Sequence, residues 1–183
     1  MKIVCLLADG FEDLEALGTV AILRRSGMQV DLTSVMNAPT VIGAFGTKVI
    51  PDKMMKDVSE KEYDGIFLPG GAATKTLREN PGVLKLVLAF AAKQKLLSAI
   101  CAAPSVFGIL GLLDGVPYTC FPSMESYMPK GIKMAKSSVI AGHIVTGAGA
   151  GTVMEFARDV ITVAFGSEKA AEIMKRILYH QYE

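Results

Sequence analysis

Cys101 stands at the end of a short apolar run and is followed at once by small residues and a proline (AICAAP, residues 99–104). Small residues on both sides allow a tight strand-to-helix turn with the cysteine at its apex, in strained backbone geometry. A helix starting at Pro104 would direct free N–H groups and its positive dipole end towards the sulfur, which favours the thiolate. The pattern predicts a nucleophilic cysteine, although a free cysteine is about as often a small buried apolar residue.

Two further segments place candidate functional groups directly after apolar runs. A first strand expected at residues 2–7 is followed by an acidic segment that contains Glu15, and a later strand at residues 64–68 is followed by Gly70 and Gly71. In an open α/β sheet, ligands bind outside the carboxyl ends of the parallel strands. We therefore expect the cysteine, a carboxylate and a glycine-rich turn to meet at one edge, which is what a cysteine-dependent enzyme requires.

Glu15 is the candidate acid/base of this site. Residues 14–23 contain no other charged side chain, so the carboxylate is expected on an otherwise apolar helix. Desolvation there would raise its pKa towards values that are useful for proton transfer. The neighbouring Glu12 and Asp13 are interpreted differently, as residues that favour the positive end of the helix dipole.

The backbone N–H groups of Gly70, Gly71 and Ala102 are the candidate donors to a developing oxyanion. Two glycines after a strand also often form nothing more than a turn. The glycine-rich loop at residues 147–151 does not have the G-x-G-x-x-G spacing, and no strand with an acidic end follows it. No dinucleotide cofactor is therefore expected, and this loop is assigned a packing role.

Apolar runs alternate with helical patterns along the chain, which predicts an α/β fold with a mostly parallel sheet covered on both faces. The 183 residues are enough for one domain with a substantial core, and a single domain over residues 1–183 is expected. Strands are expected at residues 2–7, 28–34, 64–68, 97–100, 118–121 and 139–146, with a pair of short strands within 41–50. Helices are expected at residues 14–25, 74–79, 83–95, 104–113, 152–165 and 167–180.

Composition excludes several classes of function. Lysine and arginine number 19 against 18 aspartates and glutamates, so no charge excess favours nucleic acid or an anionic membrane as a partner. The three cysteines do not resemble a secreted disulfide framework, and no apolar stretch reaches the ~18 residues that span a bilayer. The two histidines, His143 and His180, are expected away from the reactive edge, so no metal site is expected. A cytoplasmic protein without a signal peptide is predicted.

With these motifs the chain resembles the ThiJ/PfpI superfamily, in the branch of the parkinsonism-associated protein deglycase and its bacterial relatives. The matching segments follow the family order and span nearly the whole chain; they are residues 8–15, 68–71, 99–104 and 146–152. The resemblance implies a flavodoxin-like three-layer sandwich with a nucleophile elbow at Cys101. It also implies a homodimer with the first helix in its interface, and a hydrogen bond between Glu15 and the cysteine.

Two positions depart from the family pattern. Many relatives carry a histidine beside the reactive cysteine, just before a proline, where this chain has Phe121, and an arginine near the pocket where it has Phe45. These departures make the expected pocket more apolar and leave the pair of Cys101 and Glu15 to do the chemistry. Cys120 is a candidate resolving thiol for an oxidised Cys101, although burial within a strand is the preferred interpretation.

The resemblance implies a cofactor-free glyoxalase or deglycase that acts on methylglyoxal-like α-oxoaldehydes or their adducts, in protection against carbonyl and oxidative stress. The Cys101 thiolate would form a hemithioacetal, and Glu15 would move a proton between adjacent carbons through an enediol. The alternative is a non-enzymatic redox sensor or stress chaperone that works through oxidation of Cys101. The superfamily's peptidase branch is a third alternative, for which the sequence lacks the Cys-His pair.

Overall fold

Strands and helices alternate along most of the chain, which a computed structural model describes for residues 1–36 and 38–179. The strands are β1 (Lys2–Leu7), β2 (Gln29–Ser34), β3 (Val41–Ile42), β4 (Lys48–Val49), β5 (Lys53–Met54), β6 (Gly65–Leu68), β7 (Leu96–Ile100), β8 (Pro117–Tyr118), β9 (Ile132–Lys133), β10 (Ser138–Ala141) and β11 (Ile144–Gly147). The α-helices are α1 (Thr19–Arg25), α2 (Ala73–Glu79), α3 (Pro81–Ala92), α4 (Pro104–Ile109), α5 (Val153–Phe165) and α6 (Ser167–Arg176).

Within the described residues, seven of these strands form one sheet in the order β10-β11-β7-β6-β1-β2-β5. Neighbouring strands are parallel except for β10, which is antiparallel to β11. Helices α1, α5 and α6 pack together on one face of the sheet, and α2, α3 and α4 pack on the other. The predicted α/β sandwich with a mostly parallel sheet is confirmed.

The central strands are apolar throughout because helices cover both of their faces. In β1 the residues from Ile3 to Leu7 have no exposed surface, and β6 and β7 are buried along their whole length. Phe67 of β6 packs against Phe156 of α5 with their ring centroids 5.6 Å apart, which joins the sheet to one helical layer. No helix of the described ranges is long and apolar enough to cross a bilayer.

The order of the strands brings the predicted functional segments together. The chain builds β1 and β2 outwards in one direction and then returns to place β6 and β7 on the other side of β1. The register pairs Phe67 with Cys5 and Leu68 with Ala99, so β1, β6 and β7 end at the same edge. This is the position where doubly wound sheets bind ligands.

Two expected strands are wrong in their extent. Residues 139–146 form the hairpin of β10 and β11 rather than one strand, because Gly142 adopts a left-handed turn conformation with φ of 61°. The strand expected at 118–121 ends at Tyr118 and pairs with β9 in a separate two-stranded ribbon. Residues 119–121 then continue as an irregular segment.

This irregular segment is tied to the main sheet by side-chain hydrogen bonds. The buried Thr119 N–H donates to Thr146 Oγ1 on β11 at 2.9 Å, and the Thr119 hydroxyl donates to the Lys136 carbonyl at 2.9 Å. Two residues later, the Phe121 N–H donates to the Cys101 carbonyl at 2.8 Å. The segment is therefore fixed beside the residue that follows β7.

We expect Thr146→Val to lower the free energy of unfolding by about 1–3 kcal/mol, because the buried Thr119 N–H would lose its acceptor. Urea denaturation measures this change. Thr19→Val is the matched control, since the Thr19 hydroxyl is buried and has no hydrogen-bond partner among the described residues. Its effect should be close to zero, and equal losses in the two variants would mean that the hydrogen bond is not the cause.

Candidate active site

Cys101 occupies a strained turn between β7 and α4. Its φ of 64° lies in the left-handed region, which residues other than glycine rarely adopt and which costs on the order of 1–3 kcal/mol. The Cys101 N–H donates to the Gly147 carbonyl at the end of β11, at 2.9 Å, and helix α4 begins at Pro104. The predicted nucleophile elbow is therefore present, with a half-buried cysteine at its apex.

The Glu15 carboxyl lies beside this cysteine, within hydrogen-bonding reach of the thiol. Glu15 is only 1% exposed. Gly70 lies against both groups, since a Cβ built on it would be 2.6 Å from Glu15 Oε2 and 2.7 Å from Cys101 Cβ. The three residues thus form one contact cluster in which position 70 has no room for a side chain.

The three backbone N–H groups that the sequence analysis expected to act together face different partners. The Gly70 N–H donates to Glu15 Oε2 at 2.9 Å, so its assignment as an oxyanion donor is wrong and it holds the carboxylate instead. The N–H groups of Gly71 and Ala102 face the Cys101 sulfur. Gly71 has φ of 84°, and a side chain there would collide with the Gly10 carbonyl oxygen, so this turn requires glycine.

A π-helical turn positions Glu15. Residues Leu14–Gly18 form this turn immediately before α1, so the single helix expected over 14–25 begins with wider winding. The Glu12 carboxylate accepts the Glu15 N–H at 2.6 Å and so fixes the start of the turn. Sequence reasoning missed this role of Glu12, although a polar acceptor three residues before a helical N–H is a recognisable capping pattern.

Asp13 also has a role that the sequence did not indicate. Its carboxylate accepts the N–H groups of Phe45 at 3.0 Å and Thr47 at 3.3 Å, and so holds the ribbon of β3 and β4. A Cβ on Gly43 would collide with this carboxylate, which lies directly against the ribbon backbone. The interpretation of Asp13 as a residue that only complements a helix dipole is therefore incomplete.

Burial dominates the electrostatics of the pair. It is the main reason that the pKa of Glu15 is raised to about 7; the interaction with the Cys101 thiol lowers this pKa, the nearby Glu12 charge raises it, and the Gly70 N–H lowers it. Burial, followed by the charge of ionised Glu15, raises the pKa of the Cys101 thiol to about 12, although the Gly71 and Ala102 N–H groups oppose this. The pair therefore loses one proton near neutral pH and holds the second strongly.

The helix that follows Cys101 was expected to favour the thiolate, but the net shift of the thiol pKa is upwards. Helix α4 has six residues, and its dipole is outweighed by burial and by the adjacent carboxylate. In the singly charged pair the charge is mainly on Glu15, and a thiolate forms when the proton passes from the sulfur to this carboxylate. The Gly71 and Ala102 N–H groups then stabilise the charge on sulfur. Glu15 Oε1 is buried without a hydrogen bond of good geometry in the described residues, although the Ala150 N–H approaches the carboxyl group.

The remaining residues that the sequence analysis singled out are two phenylalanines, one cysteine and two histidines, and they differ in their distance from the cluster of Cys101, Glu15 and Gly70. Phe121 is beside the elbow and 49% exposed, whereas Phe45 is 79% exposed on the ribbon. Cys120 is 3% exposed, and burial raises the pKa of its thiol. His143 lies at the opposite edge of the sheet, where its carbonyl accepts the Leu97 N–H at the start of β7. His180 lies outside the described residues.

A metal site at this edge would require a cluster of ligating side chains. Over residues 1–36 and 38–179, no group of three or more histidine, cysteine, aspartate or glutamate side chains is arranged to hold a metal ion. The groups that the described residues bring together at the elbow are one thiol, one carboxyl group with a pKa of about 7, and two backbone N–H donors.

The rate of Cys101 alkylation by iodoacetamide should show an inflection near pH 7, where the pair loses its first proton. Glu15→Gln should remove this inflection and leave a single rise in rate with pH, which reports the thiol pKa. The midpoint of that rise should lie below pH 12, because the carboxylate that raises the thiol pKa is gone. Glu12→Gln is the control, and it should keep the inflection but move it to lower pH. A wild-type profile that matches that of Glu15→Gln would show that the two groups are not coupled.

Comparisons with known proteins agree with the geometry. The family model described as the DJ-1/PfpI family matches residues 1–163. Protein DJ-1 homolog B of Arabidopsis thaliana is 35% identical over 175 residues, which cover 94% of this chain and 40% of that protein. The chain thus spans about two fifths of the length of this relative.

Two further relatives match over almost their whole length. The glutathione-independent glyoxalase DJR-1.2 of Caenorhabditis elegans is 30% identical, with 94% of this chain and 93% of that protein covered. The solved structure of oxidised DJ-1 from Toxoplasma gondii is 31% identical and superimposes with a TM-score of 0.92, covering 98% of each chain. The resemblance inferred from the motifs is confirmed, and the chain belongs to the DJ-1/PfpI family.

Proposed function

We propose that this protein is a cysteine-dependent, cofactor-free enzyme that converts α-oxoaldehydes such as methylglyoxal into hydroxy acids. One observation carries the proposal, namely that a buried carboxyl group with a pKa of about 7 lies within hydrogen-bonding reach of the elbow cysteine. A general acid/base works best when its pKa is close to the working pH. A relative that is named a glyoxalase adds support.

The first step is addition of the Cys101 sulfur to the aldehyde carbon. The thiolate forms the C–S bond, and the aldehyde oxygen receives the proton that Glu15 holds in the singly charged pair, which gives a hemithioacetal. During addition the negative charge moves from sulfur to oxygen. The N–H groups of Gly71 and Ala102, which face the sulfur, are near the carbon under attack and can stabilise that oxygen.

The second step moves a proton between adjacent carbons. The Glu15 carboxylate takes the hydrogen of the former aldehyde carbon as a proton, and the electron pair forms a double bond to the second carbon, which leaves an enediolate with its charge on the second oxygen. This oxygen takes the proton of the hemithioacetal hydroxyl, and Glu15 returns its proton to the second carbon, which gives an α-hydroxy thioester on Cys101. The first carbon is oxidised while the second is reduced, so the electrons balance within the substrate and no external redox partner is needed.

Hydrolysis completes the turnover. Water adds to the thioester carbonyl, the C–S bond breaks, and the proton of the attacking water returns to the thiol–carboxyl pair as the hydroxy acid leaves. The sum is addition of one water to one α-oxoaldehyde. Release of an adduct on a thiol or an amine, which is deglycase activity, would follow the same route with the adduct supplying the aldehyde.

We expect Cys101→Ala to reduce hydroxy-acid formation from methylglyoxal to the uncatalysed background, because no covalent adduct can form. Glu15→Gln should lower kcat/KM by about 10²- to 10⁴-fold, since the amide cannot transfer a proton. Chromatography of the hydroxy acid, with no cofactor added, measures both changes.

Cys120→Ala serves as the matched control, because it removes a nearby thiol that is 3% exposed and has no step in the mechanism. It should retain the wild-type rate. Turnover that survives in Cys101→Ala would eliminate Cys101 as the nucleophile, and turnover that is lost equally in Cys120→Ala would indicate that the losses reflect folding.

A second candidate function is oxidation sensing through Cys101. The observation that favours it is the same carboxyl group, which when protonated can donate a hydrogen bond to an oxidised sulfur. Attack of the thiolate on one peroxide gives a sulfenate and water, and a second peroxide gives the sulfinate and another water. The Gly71 and Ala102 N–H groups are available to the sulfinate oxygens.

Dilute hydrogen peroxide should add two oxygen atoms to Cys101 and leave Cys5 and Cys120 unmodified, because both of those thiols are buried. Glu15→Ala should lower the yield of the sulfinate, since its hydrogen-bond donor is removed. Peptide mass spectrometry locates and counts the oxygens. A sulfinate yield that is unchanged in Glu15→Ala would contradict the role of the carboxyl group.

We also propose a homodimer for this protein, with the first helix in its interface. Support comes from apolar side chains that are exposed near the start of that helix and on the adjoining ribbon, namely Leu14, Ile42 and Phe45. The free state of the cysteines fits a reducing compartment, and we place the reaction in the cytoplasm.

A further inference from the structure

An exposed aromatic residue adjoins the residue that carries the thiol. The Phe121 N–H donates to the Cys101 carbonyl at 2.8 Å, which places the two residues side by side. The backbone of Phe121 is therefore fixed, while 49% of the residue is open to solvent. A large apolar side chain that is held next to a nucleophile and left uncovered is available to contact a substrate.

The ring also reaches the loop on the other side of the carboxyl group. Phe121 Cδ2 is 3.7 Å from the position that a Cβ on Gly149 would occupy, so the ring lies beside that residue. The next residue, Ala150, directs its N–H towards the Glu15 carboxyl. The ring thus extends from the elbow to the loop that adjoins Glu15 and forms an apolar wall, whereas Gly70 and Gly71 contribute only backbone.

The charges at the site are negative. The charged side chains that affect the pKa values of Cys101 and Glu15 most are themselves carboxylates, namely Glu15 for the thiol and Glu12 for Glu15. Near neutral pH the pair itself carries one negative charge, which it acquires when Glu15 ionises. A substrate that carries a carboxylate or a phosphate would be repelled here, whereas a neutral substrate would not.

We propose that the site selects neutral α-oxoaldehydes with an apolar substituent, aryl or branched alkyl, and that Phe121 determines this preference. The proposal rests on the function proposed above and specifies its substrate class. The aldehyde carbon bonds to Cys101, and the substituent on the second carbon packs against the Phe121 ring. Burial of apolar surface against that ring contributes to binding of the transition state, which a methyl substituent can exploit only in part.

The test compares kcat/KM for phenylglyoxal, methylglyoxal and 4-carboxyphenylglyoxal, with Cys101→Ala as the blank. The kcat/KM for phenylglyoxal should exceed that for methylglyoxal by roughly tenfold or more. The kcat/KM for 4-carboxyphenylglyoxal should fall back most of the way to the value for methylglyoxal, because its carboxylate is repelled. Phe121→Ala should lower the value for phenylglyoxal by roughly tenfold and change that for methylglyoxal much less. Phe121→Leu, which keeps an apolar side chain, should fall between the wild type and Phe121→Ala.

Equal values for phenylglyoxal and methylglyoxal, or equal losses for both in Phe121→Ala, would overturn the proposal while leaving the general reaction intact. A second readout applies even if no aldehyde is turned over. N-benzyliodoacetamide should alkylate Cys101 faster than iodoacetamide does, and Phe121→Ala should abolish that preference. Absence of turnover combined with this result would reject the enzymatic function but support the apolar wall, and an unchanged alkylation ratio would reject the wall itself.

Discussion

Contact between a buried carboxyl group and a half-buried thiol is the interaction on which the rest of the site depends. Two acidic groups that exclude water from each other cannot both ionise near neutral pH, so they share a proton. The surrounding backbone is arranged to permit this contact. Gly70 donates to the carboxylate and has no side chain to separate the pair, and Glu12 fixes the turn that carries Glu15. The Cys101 sulfur faces the N–H groups of Gly71, which follows Gly70, and of Ala102, which follows the cysteine itself.

The sheet topology explains why these groups can be so close. They come from positions far apart in the sequence, after β1, β6 and β7, and the parallel register ends all three strands at the same edge. The contacts are made by backbone atoms at the turns, so the site tolerates little variation at its glycines. Phe121, by contrast, comes from the irregular segment after β8 and remains 49% exposed beside this centre. The arrangement combines a centre fixed by backbone contacts with an exposed side chain at its rim.

The sequence allowed the pair of Cys101 and Glu15 to be predicted, together with the raised pKa of the carboxyl group but not that of the thiol. Cys101 could be recognised because small residues and a proline follow an apolar run, and Glu15 because it is the one charged residue between positions 14 and 23. The donor role of Gly70 could not be predicted, since which N–H faces a carboxylate and which faces a thiol is decided by tertiary geometry. The raised thiol pKa was not foreseen, because it follows from burial of the sulfur and from the ionised Glu15 beside it, and both depend on tertiary packing. The hairpin at residues 139–146 was missed because both of its strands are apolar and only Gly142 marks the turn.

Cys101 uses both of its backbone groups to bind other parts of the chain. Its N–H donates to Gly147 at the end of β11, and its carbonyl accepts from Phe121 in the segment after β8. Both partners lie later in the sequence than the cysteine, so the left-handed turn at Cys101 is held from β11 and from the segment after β8 as well as from its own neighbours. Burial and the ionised Glu15 raise the pKa of the Cys101 thiol to about 12 in the folded protein. The same contacts that fix the sulfur in place therefore protect it, at neutral pH, from indiscriminate reaction as a thiolate.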